Sequence, residues 1–87
     1  MKKILYFTAS WCGPCQRIKP TFYKLEKEYE DISFNAIDVD MNGDLAEKYE
    51  VESMPTFIFI NKDKEVDRFC GADTNKLKAS TEMLNNL

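Results

Sequence analysis

Lys3-Ile4-Leu5-Tyr6-Phe7-Thr8-Ala9-Ser10-Trp11-Cys12-Gly13-Pro14-Cys15 runs from an apolar stretch straight into two cysteines that bracket a Gly-Pro pair. Lys3 to Thr8 is short, rich in β-branched and aromatic side chains, and followed by a turn signal, which predicts a buried strand. Pro14 suits the first position of a helix, where the N–H that proline lacks has no partner anyway. Ile18, Phe22, Leu25 and Tyr29 then recur at helical spacing. The segment therefore reads as strand, loop and helix, with the helix ending near Tyr29 and kinked at Pro20.

Beyond it, Ile32 to Val39 forms a second strand, Asn42-Gly43 breaks it, and Leu45, Ala46 and Tyr49 mark a short helix. Thr56 to Ile60 and Glu65 to Cys70 flank Asn61-Lys62-Asp63-Lys64, the pattern of a hairpin with a four-residue connection. Asp73 or Thr74 can cap a last helix with Leu77, Thr81, Leu84 and Leu87 on one face. The order is βαβαββα. Two strands joined through a helix must be parallel, and the hairpin adds antiparallel strands. The expected class is α/β, a four-stranded mixed sheet with helices on both faces.

Eighty-seven residues and the absence of any linker, repeat or low-complexity segment point to a single domain spanning 1–87. A chain of this mass should fold to a surface of about 5,300 Å², burying roughly 64% of what it exposes unfolded. Twelve basic and fifteen acidic side chains, with no block of one sign, argue against a nucleic-acid partner. No apolar run approaches the roughly 18 residues that span a bilayer, so no membrane association is expected. The apolar run after Lys2-Lys3 is also too short for a signal peptide, and a cytoplasmic location and a monomeric state are expected. Histidine is absent, which removes Ser-His-Asp and Cys-His nucleophilic sites and histidine acid–base work. Chemistry must rest on Cys, Asp, Glu, Lys or Tyr.

Cysteines three apart in a helical first turn lie about 5 Å apart by Cα, inside the window for a disulfide. The pair can therefore switch between dithiol and disulfide with little backbone motion. Cys12, just before the helix, meets orphan N–H groups and the positive end of the helix dipole, which stabilise a thiolate by up to about 2 kcal/mol. More thiolate at lower basicity gives a net gain in attack rate of only about threefold. Selectivity matters more: Cys12 attacks a substrate disulfide, and the more buried Cys15 displaces the reduced product. Half of a zinc site and inert structural cysteines are the alternatives; zinc would need about two further ligands, and Cys70 and carboxylates are all that remain.

Trp11-Cys12-Gly13-Pro14-Cys15 after a strand, Met54-Pro55-Thr56 before the hairpin and Gly71-Ala72 after it resemble the thioredoxin family over nearly the whole chain. The resemblance implies a thioredoxin-like fold, Cys12 as the attacking and Cys15 as the resolving cysteine, and a cis Pro55 facing their disulfide. It implies that the Met54 backbone offers edge hydrogen bonds to an extended substrate segment. Trp11, Gly13, Pro14, Met54, Gly71 and Ala72 would complete a flat apolar docking surface. No cofactor beyond the redox-active disulfide Cys12–Cys15 and no metal is implied.

The chain departs from the family at several positions. The family usually has a further strand and helix before the segment at Lys3, so the chain looks like a shortened thioredoxin with four strands instead of five. Tyr6 stands where thioredoxins carry a buried Asp, Ala36 where many carry a Lys, and Thr8 where a Trp is frequent. Deprotonation of Cys15 therefore cannot use a buried carboxylate. Cys70 is either a small buried hydrophobe or an exposed thiol; with Phe69 facing the core, strand alternation turns it outward.

The implied activity is reduction of disulfide-containing proteins, with thioredoxin reductase as electron donor. A glutaredoxin-like protein recycled by glutathione is the alternative, favoured by Cys70-Gly71-Ala72-Asp73, although Asp73 is also a natural helix cap. A third reading is a thioredoxin-fold subunit of a larger complex.

Overall fold

A computed structural model describes residues 1–87. Strand β1 (Lys2–Thr8) is central, pairing in parallel with β2 (Ile32–Asp38) and antiparallel with β3 (Thr56–Asn61), which pairs antiparallel with β4 (Lys64–Cys70). The sheet order is β2-β1-β3-β4. Helix α1 (Gly13–Glu28) makes the crossover from β1 to β2, α2 (Gly43–Lys48) follows β2, and α3 (Thr74–Asn85) closes the chain. This is the expected βαβαββα order and mixed four-stranded sheet.

The continuous apolar run of β1 is explained by burial on both faces. Ile4 and Tyr6 point to one face, where Ile18, Phe22 and Leu25 of α1 and Leu77 and Leu84 of α3 pack with Phe57, Phe59 and Phe69. Leu5 and Phe7 point to the other, against Ile58 and Ile60, with Ala46, Tyr49 and Val51 from α2 and the segment after it laid on top. Helices thus cover both faces. The folded surface is 5282 Å², close to the value that the chain's mass predicts.

Three local expectations are corrected. Asn61 pairs with Lys64, so the hairpin loop is the two residues Lys62 and Asp63 rather than four. Both adopt left-handed φ, 53° and 66°, as a tight turn matched to strand twist requires. The register then shifts between Phe59 and Ile60, leaving Val66 as the extra residue of a bulge. Leu87 does not join the apolar face of α3: the helix ends at Asn85, Leu87 is exposed, and Ser80 is buried beside Leu77, Thr81 and Leu84. Val39 lies just outside β2. Because Lys62 and Asp63 hold a conformation that glycine and asparagine adopt more cheaply, Lys62→Asn with Asp63→Gly should stabilise the fold by about 1 kcal/mol. A higher urea midpoint at unchanged denaturant dependence is the expected readout.

Candidate active site

The loop after β1 is drawn tight by the Cys12 N–H donating to the Ala9 carbonyl (3.1 Å) and by Gln16 Nε2 donating to the same oxygen (2.9 Å). Cys12 is consequently the N-cap of α1, with extended backbone (φ −91°, ψ 109°), and Pro14 lies in the first turn. Its sulfur occupies the place of the usual capping oxygen: Sγ accepts the Cys15 N–H at 3.2 Å. Cys12 and Cys15 form a disulfide with Cα atoms 5.3 Å apart. Cys12 retains 7% exposure and Cys15 none. Both are more enclosed than the sequence suggests, but the order of access is the expected one.

The Met54–Pro55 bond is cis, and Pro55 is buried at the start of β3. Met54 packs on the cluster formed by Ala9, Cys12 and Cys15, and its carbonyl oxygen lies 3.9 Å from Cys12 Sγ. The Gly71 N–H donates to the Pro55 carbonyl (2.9 Å), tying the end of β4 to this loop. Gly71 has φ +104°, where a side chain would be strained. Trp11, Gly13 and Pro14 are exposed beside the disulfide. Met54 thus lies against the cysteine pair, Gly71 is tied to Pro55 beside it, and Ala72 is exposed next to Gly71.

Three further features were not anticipated. Trp11 is 66% exposed, yet its indole Nε1 donates to Asp40 Oδ2 at 2.9 Å, which fixes the ring. Tyr6, wholly buried and stacked on Phe57 with centroids 4.9 Å apart, donates its hydroxyl to the Cys15 carbonyl at 2.6 Å. Burial pushes the Tyr6 phenol above its ordinary range. It stays neutral near pH 7 and is no base for the Cys15 proton. Thr8 Oγ1, on the same face of β1, is buried without a hydrogen-bond partner. No carboxylate or lysine is among the buried residues.

Cys70 is a free, exposed thiol facing Thr56 Oγ1 at 3.4 Å, as the alternation of β4 predicts. Hydrogen bonds from Thr56 and Ser53 hold it below the ordinary thiol range. The single Thr56 proton goes to the Ser53 carbonyl in the neutral state and can turn to the sulfur when the thiolate forms. Maleimide should therefore add once to the oxidised, folded protein, at Cys70, and faster at pH 7 than to an unstructured peptide cysteine. Labelling that waits for denaturant would contradict this exposure.

Neither cysteine of the pair lines a hollow; the largest, about 650 Å³, lies along β1 and β2 on the α2 side. No group of three or more Cys, Asp or Glu is placed to hold a metal ion, and Cys12 and Cys15 are joined to each other. No helix is long and apolar enough to cross a membrane.

Comparison with known proteins gives one consistent result. The Thioredoxin family model matches residues 1–83. Thioredoxin of Equus caballus is 44% identical over 81 residues, covering 93% of this chain and 77% of its own. An H-type thioredoxin of Picea mariana is 46% identical over 78 residues, covering 90% of this chain and 62% of its own. The structure of Fasciola hepatica thioredoxin superposes with a TM-score of 0.92 at 45% identity, covering 94% of this chain and 79% of that one.

Proposed function

The chain belongs to the thioredoxin family and is a thiol–disulfide oxidoreductase, and from that premise we propose that Cys12 is its attacking cysteine and Cys15 its resolving one. The observation that carries the assignment is the N-cap geometry: Cys12 Sγ receives the Cys15 N–H at 3.2 Å and sits at the positive end of α1. In the reduced protein the same N–H would meet a Cys12 thiolate, which attacks one sulfur of a substrate disulfide. That S–S bond breaks, a mixed disulfide forms, and the departing substrate sulfur takes a proton. Cys15, having lost its own proton, then attacks Cys12 Sγ. The second substrate thiol leaves, and two electrons have passed from the dithiol to the substrate.

Disulfide-containing proteins are the proposed substrates, because the pair lies on a surface rather than in a hollow. Trp11, Gly13, Pro14, Met54, Pro55, Gly71 and Ala72 are the proposed docking residues, with the Met54 main chain pairing to an extended segment. We place the protein in the cytoplasm, acting through one domain that spans 1–87. Thioredoxin reductase is the proposed electron donor. The glutathione alternative loses part of its support, since Asp73 Oδ1 caps α3 by accepting the Lys76 N–H at 3.0 Å. Turnover of a disulfide-bonded test protein with NADPH and thioredoxin reductase, set against NADPH, glutathione and glutathione reductase, decides between the donors. Faster turnover with glutathione would overturn the first.

A further inference from the structure

Two polar side chains beside the cysteine pair already have partners: the Trp11 indole donates to Asp40 Oδ2 and Gln16 Nε2 to the Ala9 carbonyl, each at 2.9 Å. Arg17 differs. It is exposed one helical turn after Gly13, and its Nη1 lies 3.6 Å from the point where a Gly13 Cβ would stand. The guanidinium thus leans back over the first turn of α1, as helical side chains do. No carboxylate is within helical reach, since the positions three and four residues away are Gly13, Pro14, Pro20 and Thr21. The one ion pair of the molecule joins Arg68 to Glu65. Arg17 therefore presents an uncommitted planar fork of N–H donors next to the disulfide, and such a fork matches a carboxylate.

Charge around the pair is unevenly spread. From Gly13 to Leu25, α1 carries Arg17, Lys19 and Lys24 and no acid. Residues 38–53 carry acids at 38, 40, 44, 47, 50 and 52 against Lys48 alone. This acidic segment reaches the pair through Val39 and, just beyond its end, Met54, both packed on the cluster of Ala9, Cys12 and Cys15. Asp40 follows Val39, Glu52 stands two residues before Met54, and both are exposed. The disulfide thus lies on a boundary between a basic flank and an acidic one.

We propose that Arg17 is a specificity-determining residue of the exchange, seating an acidic side chain of the substrate. The preferred segment carries an acid on the α1 side of its cysteine and a base on the side of Asp40 and Glu52. This rests on the reading that Cys12 and Cys15 exchange with disulfide-bonded proteins. Main-chain pairing at Met54 is directional, so a segment bound there offers its two ends to different flanks.

The test compares two disulfide-linked homodimeric peptides of one composition, built from acetyl-Ala-Glu-Ala-Cys-Ala-Lys-Ala-amide and from acetyl-Ala-Lys-Ala-Cys-Ala-Glu-Ala-amide. Both are neutral overall, so long-range attraction to the protein is the same for each. Rates of reduction by the dithiol protein are normalised to rates with dithiothreitol, which removes any difference in peptide reactivity. One order should be reduced about fivefold faster at low salt, through a lower half-saturating concentration at a similar limiting rate. Salt at about 0.5 M should shrink the ratio below about twofold. Arg17→Met should bring it to about twofold, and Arg17→Glu, which makes both flanks acidic, to about one. Gln in place of Glu in the favoured peptide should slow wild type about threefold and Arg17→Met hardly at all, which marks the acid as the partner of Arg17. The wild-type comparisons need no variant and stand if a variant fails to fold. Equal rates for the two orders, a ratio indifferent to salt, or a ratio that Arg17→Met leaves intact overturns the proposal and leaves the exchange itself in place. Reduction of neither peptide overturns the reading on which it rests, and the proposal with it.

Discussion

Cys12→Ser is expected to lower reduction of a protein disulfide by more than about a thousandfold, because the hydroxyl cannot replace a thiolate as the attacking group. Cys15→Ser should fail differently. It still attacks through Cys12, which keeps the capping position at the start of α1, but nothing then displaces the second substrate thiol. A covalent adduct should accumulate at one equivalent, and mass spectrometry should locate it on Cys12. An adduct on Cys15 in the Cys12→Ser protein, formed at a comparable rate, would reverse the order of attack. The difference in access is narrow, 7% against none, so the stronger argument is electrostatic: the N-cap sulfur faces the first-turn N–H, and Cys15 lies inside the helix.

The second large effect is expected at Tyr6. Tyr6→Asp places a carboxylate where an aromatic ring packs between Phe22, 4.7 Å away by centroids, and Phe57. The lost packing and the buried carboxylate together should cost about 3–5 kcal/mol. That approaches the whole stability of a domain this size, about 4–13 kcal/mol. The sign of its pH dependence follows from burial, which raises the folded-state pKa of the new carboxyl above its unfolded value of about 4. The folded state then holds a proton that the unfolded state releases, so the deficit is smallest below about pH 4 and grows as pH rises through the folded-state value. Urea midpoints should therefore separate further from wild type at pH 8 than at pH 5; equal separation would mean that the carboxyl reaches water.

In the fraction that remains folded, resolution of the mixed disulfide should outpace wild type only as pH rises through the new carboxyl's raised folded-state value, where it is ionised and can take the Cys15 proton that Tyr6 cannot. Tyr6→Phe keeps the stacking, loses the bond to the Cys15 carbonyl, and should cost about 1–2 kcal/mol. An unchanged pH–rate profile in folded Tyr6→Asp would show that water already removes the Cys15 proton.

The sequence by itself determined the element order, the parallel first pair of strands and the position of Cys12 and Cys15 at the start of α1. All of these follow from local periods of two and 3.6 residues and from the intrinsic geometry of Pro14 and of a helical first turn. It also placed Cys70 outward, because Phe69 claims the core by the same alternation. Pro55 and Gly71 were legible through family resemblance, and their meeting at 2.9 Å gives that resemblance a physical form.

Only the tertiary structure decided the contacts that depend on how separate segments align. Trp11 meets Asp40 across 29 residues, and Asp40 in the acidic run after β2 carries no mark that singles it out from Asp38 or Asp44. The Tyr6 hydroxyl meets the Cys15 carbonyl because the crossover lays the first turn of α1 over the end of β1. Lys62 and Asp63 lack glycine, so the two-residue turn was hidden; pairing along β3 and β4, interrupted at Val66, imposed it.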